Sequence, residues 1–258
     1  MHVGLAVLSL IWATSYFLNK IPDKELSIFV FCSTVATYNF IKYGVEAHKY
    51  LIVSNRYQRG IQLFSFINLI LAMLYVGHLN KASILLVFLV GLLIVIYALP
   101  ISPRIKNLRN YGIPKVFLVA LVWTLITAML PLLYYGGEWN TDNYIDITQR
   151  FLLILVLMVP FEIRDLNVDL PELRTIPQRI GEGATKSLGY FLALVYFLLT
   201  FLKEQLHPKE LPGQGLLLLL LLLALALTNK RRPAYFASFW VEGLPILWLV
   251  MIWLTGFL

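Results

Sequence analysis

The most informative stretch of this chain is residues 162–181, EIRDLNVDLPELRTIPQRIG. The stretch follows the apolar run 151–161 and holds four acidic and three basic residues in twenty. Asp165 and Asp169 are four positions apart, so on a helix they share one face. Two carboxylates at the mouth of a membrane helix are costly unless positive charge lies beside them. The pattern therefore predicts that Mg²⁺, a Lys or Arg side chain, or a magnesium-bound diphosphate neutralises them.

The composition indicates an integral membrane protein. The chain of 258 residues is 59% hydrophobic and 14% charged, with a mean hydropathy of +0.77. A soluble domain has about 45–50% apolar and about 25% charged residues. The net charge of +7 is then explained by basic cytoplasmic loops, and we expect no nucleic-acid partner. The single cysteine, Cys32, excludes an internal disulfide.

Hydropathy predicts an all-α, polytopic membrane bundle of about nine transmembrane helices, because about 20 mostly apolar residues cross the hydrocarbon core. The expected spans are residues 3–19, 26–45, 61–79, 82–101, 114–135, 146–163, 184–203, 213–229 and 236–257. The loops between them are too short to bury a core of their own. We therefore expect residues 1–258 to form one integral-membrane domain in contact with membrane lipids.

The basic residues are distributed unevenly between the two sides of this predicted bundle. Four alternate connections contain fifteen of the 21 Lys and Arg residues: Lys42, Lys49, Arg56, Arg59, Arg104, Lys106, Arg109, Lys115, Arg164, Arg174, Arg179, Lys186, Lys230, Arg231 and Arg232. The positive-inside rule places these connections and the N-terminus in the cytoplasm, and the C-terminus outside. The basic connections, with no targeting segment recognised, fit a bacterial inner membrane, and an organelle membrane stays open as the alternative.

The acidic stretch has the form of a known motif. Asp165-x-x-x-Asp169 is followed by Arg174-Thr175-Ile176-Pro177 and Gly181, directly after the predicted sixth span. This order resembles the second aspartate-rich motif of the UbiA superfamily of intramembrane prenyltransferases. A looser likeness follows the predicted fourth span, where the family often has a Tyr, a Pro, basic residues, and then a Lys and a Trp. The corresponding residues are Tyr97, Pro100, Lys106, Arg109, Lys115 and Trp123.

The chain departs from the family at its first motif, N-D-x-x-D-x-x-x-D. With Asn39 at the asparagine position, the three aspartate positions hold Phe40, Tyr43 and Ala47. One metal site at most would remain, and Lys42, near the lost acids, is a candidate to replace a metal at the diphosphate.

The resemblance implies helices around a central cavity that is closed on its cytoplasmic side, and a transferase. A prenyl chain would move from a prenyl diphosphate to a hydrophobic acceptor, either aromatic or a quinone precursor. Asp165 and Asp169 would be the catalytic, Mg²⁺-binding carboxylates. The expected diphosphate ligands are Arg174, Lys42, Arg56, Arg59, Lys106 and Arg109. The expected cavity residues are Asn39, Tyr97 and Trp123.

Other interpretations stay open at this point. One alternative is a non-catalytic descendant of that fold, which binds an isoprenoid lipid or serves as a partner subunit. Transport would need intramembrane charges or broken helices that the sequence mostly lacks. The alternative for Asp165 and Asp169 is pairing with Arg164, Arg174 or Arg179 in a solvated loop. For Glu162, solvation at the interface is the simplest interpretation, and Glu242 is the isolated acid of the last span.

Overall fold

The computed structural model describes residues 1–44, 56–99, 111–206 and 210–254, with the side chains of 43, 44, 56 and 57 left out. Over these residues the chain is helical and contains no strand, which confirms the all-α fold. The described residues form nine helices: α1 His2–Phe17, α2 Lys24–Asn39, α3 Arg56–Tyr75, α4 Lys81–Ala98, α5 Gly112–Tyr134, α6 Thr141–Asp165, α7 Ile176–Leu198, α8 Glu210–Leu227 and α9 Leu244–Leu254.

Short helical segments of other types extend or connect these helices. Three π-helical segments prolong α2, interrupt α5 and precede α9: Phe40–Gly44, Leu125–Met129 and Phe236–Val241. Three 3₁₀ turns follow α3, precede α7 and follow α7: Val76–His78, Pro171–Leu173 and Leu199–Leu202.

Six helical stretches are long and apolar enough to cross a membrane: Gln58–His78, Lys81–Ala98, Gly112–Tyr134, Thr141–Asp165, Ile176–Leu202 and Glu210–Leu227. The chain is therefore an integral, multi-pass membrane protein. α1 and α9 are apolar but shorter, with 16 and 11 residues. The count of nine spans stays a prediction.

Eight of the nine helices begin before the residue that hydropathy predicts, and polar side chains cap the starts of three of them. The side chains of Asp23, Asn80 and Asn140 accept hydrogen bonds from the backbone N–H three residues ahead, at the starts of α2, α4 and α6. Each cap of this kind stabilises its helix by about 1 kcal/mol. A polar first turn is invisible to a hydropathy scan, so α6 begins at Thr141 and not at residue 146.

α6 lies at the centre of the bundle. Its residues 153–157 are all buried, whereas a surface helix buries only one face. They pack in a core with α1, α7, α8 and α9, in which Trp248 is the largest fully buried side chain. A second core joins α1, α2, α4 and α5. Because α6 is fixed on all sides, the acidic motif at its end has a rigid base.

The end of the bundle where α6 begins contains a buried group of charges, the outer clamp, made of Asp146, Lys203 and Glu210. The ammonium of Lys203 lies 2.6 Å from Asp146 Oδ1 and also contacts Glu210. Nearby, buried Arg150 donates to Thr14 Oγ1 at 2.9 Å. The structure buries the side chains of Arg150, Lys203 and Glu210 between helices.

Candidate functional site

The helix that carries the acidic motif ends at Asp165, so Asp169 lies beyond it. The prediction that both aspartates lie on one helix is therefore wrong in detail. The amide N–H of Asp169 nevertheless donates to the carbonyl of Asp165 at 2.8 Å, which is the spacing of one more helical turn. The chain then turns at Pro171 into a 3₁₀ segment.

The loop between α6 and α7 is held by Gln178, which the sequence does not single out. Gln178 Oε1 accepts from the N–H of Thr175 at 2.9 Å. Its Nε2 donates to the carbonyls of Asp169 (3.1 Å) and Leu170 (3.2 Å). Arg174 sits in this loop with a left-handed backbone, φ 49°, and its side chain is exposed. The Arg-Thr-Ile-Pro segment thus shapes the loop.

The same loop packs against the start of α5 at Gly112. An ideal Cβ on residue 112 would lie 2.4 Å from the carbonyl oxygen of Leu173 and 2.7 Å from the nitrogen of Thr175. Only glycine permits this approach of two backbones. The contact brings the first turn of α5, including Lys115, beside the acidic motif.

We expect Gly112→Ala to detach this loop from α5, because neither backbone atom can move aside as a side chain would. Overpacking of this kind costs about 1–3 kcal/mol. The measurement is amide hydrogen exchange of residues 166–178 in detergent, which should become faster. Gly183→Ala is the matched control, since nothing lies within 4 Å of a Cβ at residue 183. Unchanged exchange in Gly112→Ala would contradict the close approach.

Lys115 bridges two carboxylates in a group that we call the inner clamp: Lys115, Glu162 and Asp169. Its ammonium lies 3.0 Å from Glu162 Oε1 and 3.3 Å from Asp169 Oδ2. The Glu162 side chain is only 4% exposed, so its interpretation as a solvated interfacial residue is wrong. Glu162 Oε2 is buried and has no hydrogen-bond partner among the described residues.

Asp165 is paired with its neighbour Arg164. Arg164 Nε and Nη2 donate to the two carboxylate oxygens, each at 2.7 Å, and the guanidinium lies over the ring of Phe161. Pairing with Arg164 was one of the open alternatives. Both groups are only partly exposed, at 26% and 33%, so this pair is not a fully solvated one.

Three carboxylates of the motif, Glu162, Asp165 and Asp169, face two cations, Lys115 and Arg164. In the part of the chain that the structure describes, no three acidic, His or Cys side chains are grouped to hold a metal alone. Mg²⁺ takes one or two carboxylates and completes its shell with water and phosphate oxygens, so these oxygen donors and the unpartnered buried oxygen beside them fit it.

A cavity of about 230 Å³ lies between α1, α2, α4 and α5. Its walls are mainly apolar, and Tyr97 and Trp123 are part of them, where the sequence predicts cavity residues. Leu118 and Val119 also line it. They follow Lys115 by three and four residues on α5, so the inner clamp lies one helical turn from the cavity wall.

The other predicted site residues do not line this cavity, or they lie outside the described residues. Asn39 is not among the residues that line the cavity, and its Nδ2 donates to Ser65 Oγ at 2.8 Å. Lys42 is exposed, with its ammonium 5.6 Å from the ring centroid of Tyr38. Arg59 is exposed on the first turn of α3. The side chain of Arg56 and all of Lys106 and Arg109 lie outside the described residues.

Two members of the inner clamp were absent from the predicted site, although the sequence holds a signal for each. Glu162 precedes Asp165 by three residues and Asp169 by seven, and this spacing keeps all three on one side of a helix. Lys115 belongs to the looser likeness and to a basic connection, but a lysine at a helix start is common at membrane interfaces and so does not by itself predict a site.

Comparison with known proteins gives structural matches only. No protein-family model and no curated protein matches the chain. A UbiA homolog from Archaeoglobus fulgidus bound to Cd²⁺ matches with a TM-score of 0.62 and 15% identity. The structure of a UbiA homolog from the same organism bound to GPP and Mg²⁺ matches with a TM-score of 0.57 and 13% identity. Both matches cover 97% of this chain and 96% of the other.

A structure of a digeranylgeranylglyceryl phosphate synthase in membranes is similar as well. Its TM-score is 0.59 at 16% identity, and the match covers 96% of this chain and 92% of that one. The likeness extends over almost the whole of both chains. Because the sequence identity is so low, it shows a shared backbone fold. The chain has the fold of the UbiA homologs, as its sequence motif predicts.

Proposed function

We propose that this protein binds a prenyl diphosphate and transfers its prenyl chain to a hydrophobic acceptor, either aromatic or a quinone precursor. The observation that carries this proposal is the position of the inner clamp, one helical turn from an apolar cavity. An isoprenoid tail fits the apolar walls and a diphosphate fits the charged end. This matches the amphipathic shape of the ligand, and the UbiA homolog that binds GPP has the same fold.

The cations of the site would hold the diphosphate. Lys115 and Arg164 lie beside the motif and both already donate to carboxylates, so each can donate to phosphate oxygens. Arg is suited to two parallel hydrogen bonds, and Lys acts as a point charge. Arg174, Lys42, Arg56, Arg59, Lys106 and Arg109 remain candidate ligands of the diphosphate. We also infer that the N-terminus lies inside and the C-terminus outside, in a bacterial inner membrane.

Asp165 and Asp169 would hold one Mg²⁺ together with oxygens of the diphosphate. Bound there, the metal would neutralise charge on the leaving diphosphate, which favours cleavage of the allylic C–O bond. The acceptor would form a bond to C1 of the prenyl chain and lose a proton. Tyr97 and Trp123 line the cavity, and aromatic rings can stabilise a developing carbocation through their faces.

The test is binding of geranyl diphosphate to the detergent-purified protein in Mg²⁺ and in EDTA. We expect wild type to bind only with Mg²⁺, and Asp165→Asn/Asp169→Asn to lose that dependence with a fall in affinity of roughly 10- to 100-fold. Asp142→Asn is the control, because Asp142 lies at the opposite end of α6 and accepts from backbone N–H groups there. Binding that ignores both the metal and the motif would refute the proposal.

A second candidate function is non-catalytic binding of an isoprenoid lipid, or a role as a partner subunit. One observation favours it: each aspartate of the motif is already paired with a cation of the protein, Asp165 with Arg164 and Asp169 with Lys115. A relic of this kind would bind the uncharged alcohol geraniol as tightly as geranyl diphosphate. The same binding measurement therefore separates the two functions.

A further inference from the structure

We propose that Glu162 is a positioning residue that anchors Lys115 for the diphosphate, whereas Asp169 is the partner that Lys115 releases when ligand binds. This inference rests on the proposed function and assigns different roles to the two carboxylates of the inner clamp. The geometry that carries it is the difference in burial, support and position between Glu162 and Asp169.

The side chain of Glu162 is held in a fixed position. It lies on α6 in the last turns before Asp165, and its side chain is 4% exposed. The next residue, Ile163, is fully buried in the core, which fixes this part of the helix. A buried carboxylate without a counterion is strongly destabilising, so Glu162 needs the ammonium of Lys115 at 3.0 Å.

The side chain of Asp169 is held less firmly and can change its orientation. It lies in the loop after α6, and its side chain is 19% exposed. Gln178 holds the backbone carbonyl of Asp169 and leaves its carboxylate alone. Within the described ranges, the hydrogen bond of that carboxylate is the one from Lys115, at 3.3 Å. Its oxygens can therefore turn to a metal ion without breaking the loop.

The ammonium of Lys115 has three N–H donors, and two acceptors face it in the structure, Glu162 and Asp169. One donor is left over, and a second is released when Asp169 turns away. Glu162 keeps the nitrogen in place during this exchange. A cation that is already fixed loses less side-chain freedom on binding, which improves affinity for the diphosphate.

The test compares geranyl diphosphate with geraniol as probes of the detergent-purified full chain. Glu162→Gln keeps the shape and an acceptor oxygen but removes the charge. We expect its Kd for geranyl diphosphate with Mg²⁺ to rise by about tenfold, as for other side chains that orient a ligand-binding group. The Kd for geraniol should stay unchanged, because the alcohol fills only the cavity.

A double-mutant cycle with Lys115→Met shows whether Glu162 acts through Lys115. In the Lys115→Met background, Glu162→Gln should have no further effect on diphosphate affinity. Two results would overturn the inference: equal losses for both probes, which indicate a structural role, or additive effects in the cycle. If wild type binds with Mg²⁺ and Glu162→Gln binds equally well, the anchor role is wrong while the proposed function stands. If wild type does not bind at all, the proposed function itself fails.

Discussion

Lys203→Met is expected to destabilise the protein by about 3–5 kcal/mol, the usual cost of breaking a buried ion pair. Lys203 and Glu210 are each 3% exposed, and Lys203 also pairs with Asp146. Removal of the ammonium leaves the buried carboxylate of Glu210 without its ion pair and, among the described residues, leaves Asp146 with the nearby Arg150 alone as a cation. Thermal unfolding in detergent, followed by size-exclusion chromatography of the heated sample, measures the loss.

Two controls distinguish the effect of unpairing buried charges in Lys203→Met from the effect of replacing any lysine. Lys81→Met changes an exposed lysine at the start of α4 and should leave the unfolding temperature nearly unchanged. The triple variant Lys203→Met/Asp146→Asn/Glu210→Gln removes all three charges and should recover most of the stability, because neutral groups are cheaper to bury. A single variant as stable as wild type would mean that water reaches the outer clamp.

Lys115→Met is expected to weaken binding of geranyl diphosphate by roughly 10- to 100-fold, the range for loss of a charge-assisted hydrogen bond. The thioether has nearly the length of the lysine stem but no charge. Lys115 is 14% exposed and stands beside the cavity wall, so we expect its charge to be available to a ligand. Titration of geranyl diphosphate in Mg²⁺, monitored by calorimetry, gives the affinity.

Lys115→Met also strips the counterion from buried Glu162, so stability must be measured with affinity. The double variant Lys115→Met/Glu162→Gln removes both charges and should restore the unfolding temperature but not the binding. Lys230→Met is the matched control, because Lys230 is exposed in the connection after α8 at the same end of the bundle. Wild-type affinity in the double variant would show that Lys115 does not contact the ligand.

The inner and outer clamps have the same arrangement of charges in different surroundings. At each end of α6, one lysine bridges two carboxylates from different parts of the chain. Lys203 is 3% exposed and joins helices, whereas Lys115 is 14% exposed beside a cavity. Exposure and neighbourhood distinguish the two clamps, and the residue types alone reveal neither property.

Individual residues show which features of the structure the sequence alone predicts. The motif at Asp165 and Asp169 predicts the fold, since its spacing and its place after the sixth span are local properties. Tyr97 and Trp123 line the cavity, where they were expected, whereas Asn39 turns to Ser65. The sequence does not predict that Gln178 holds the loop between α6 and α7. The three hydrogen bonds of the Gln178 side chain depend on a loop conformation that residue spacing does not reveal.

The sequence by itself determined that this is a helical membrane protein with an acidic motif after its sixth span, because hydropathy, helical period and motif order are all carried by neighbours along the chain. The tertiary structure decided which cation meets which carboxylate. Lys115 reaches Glu162 across 47 positions, and it does so because Gly112 lets α5 approach the loop after α6. Ion pairs between distant segments depend on helix packing, which sequence separation does not fix.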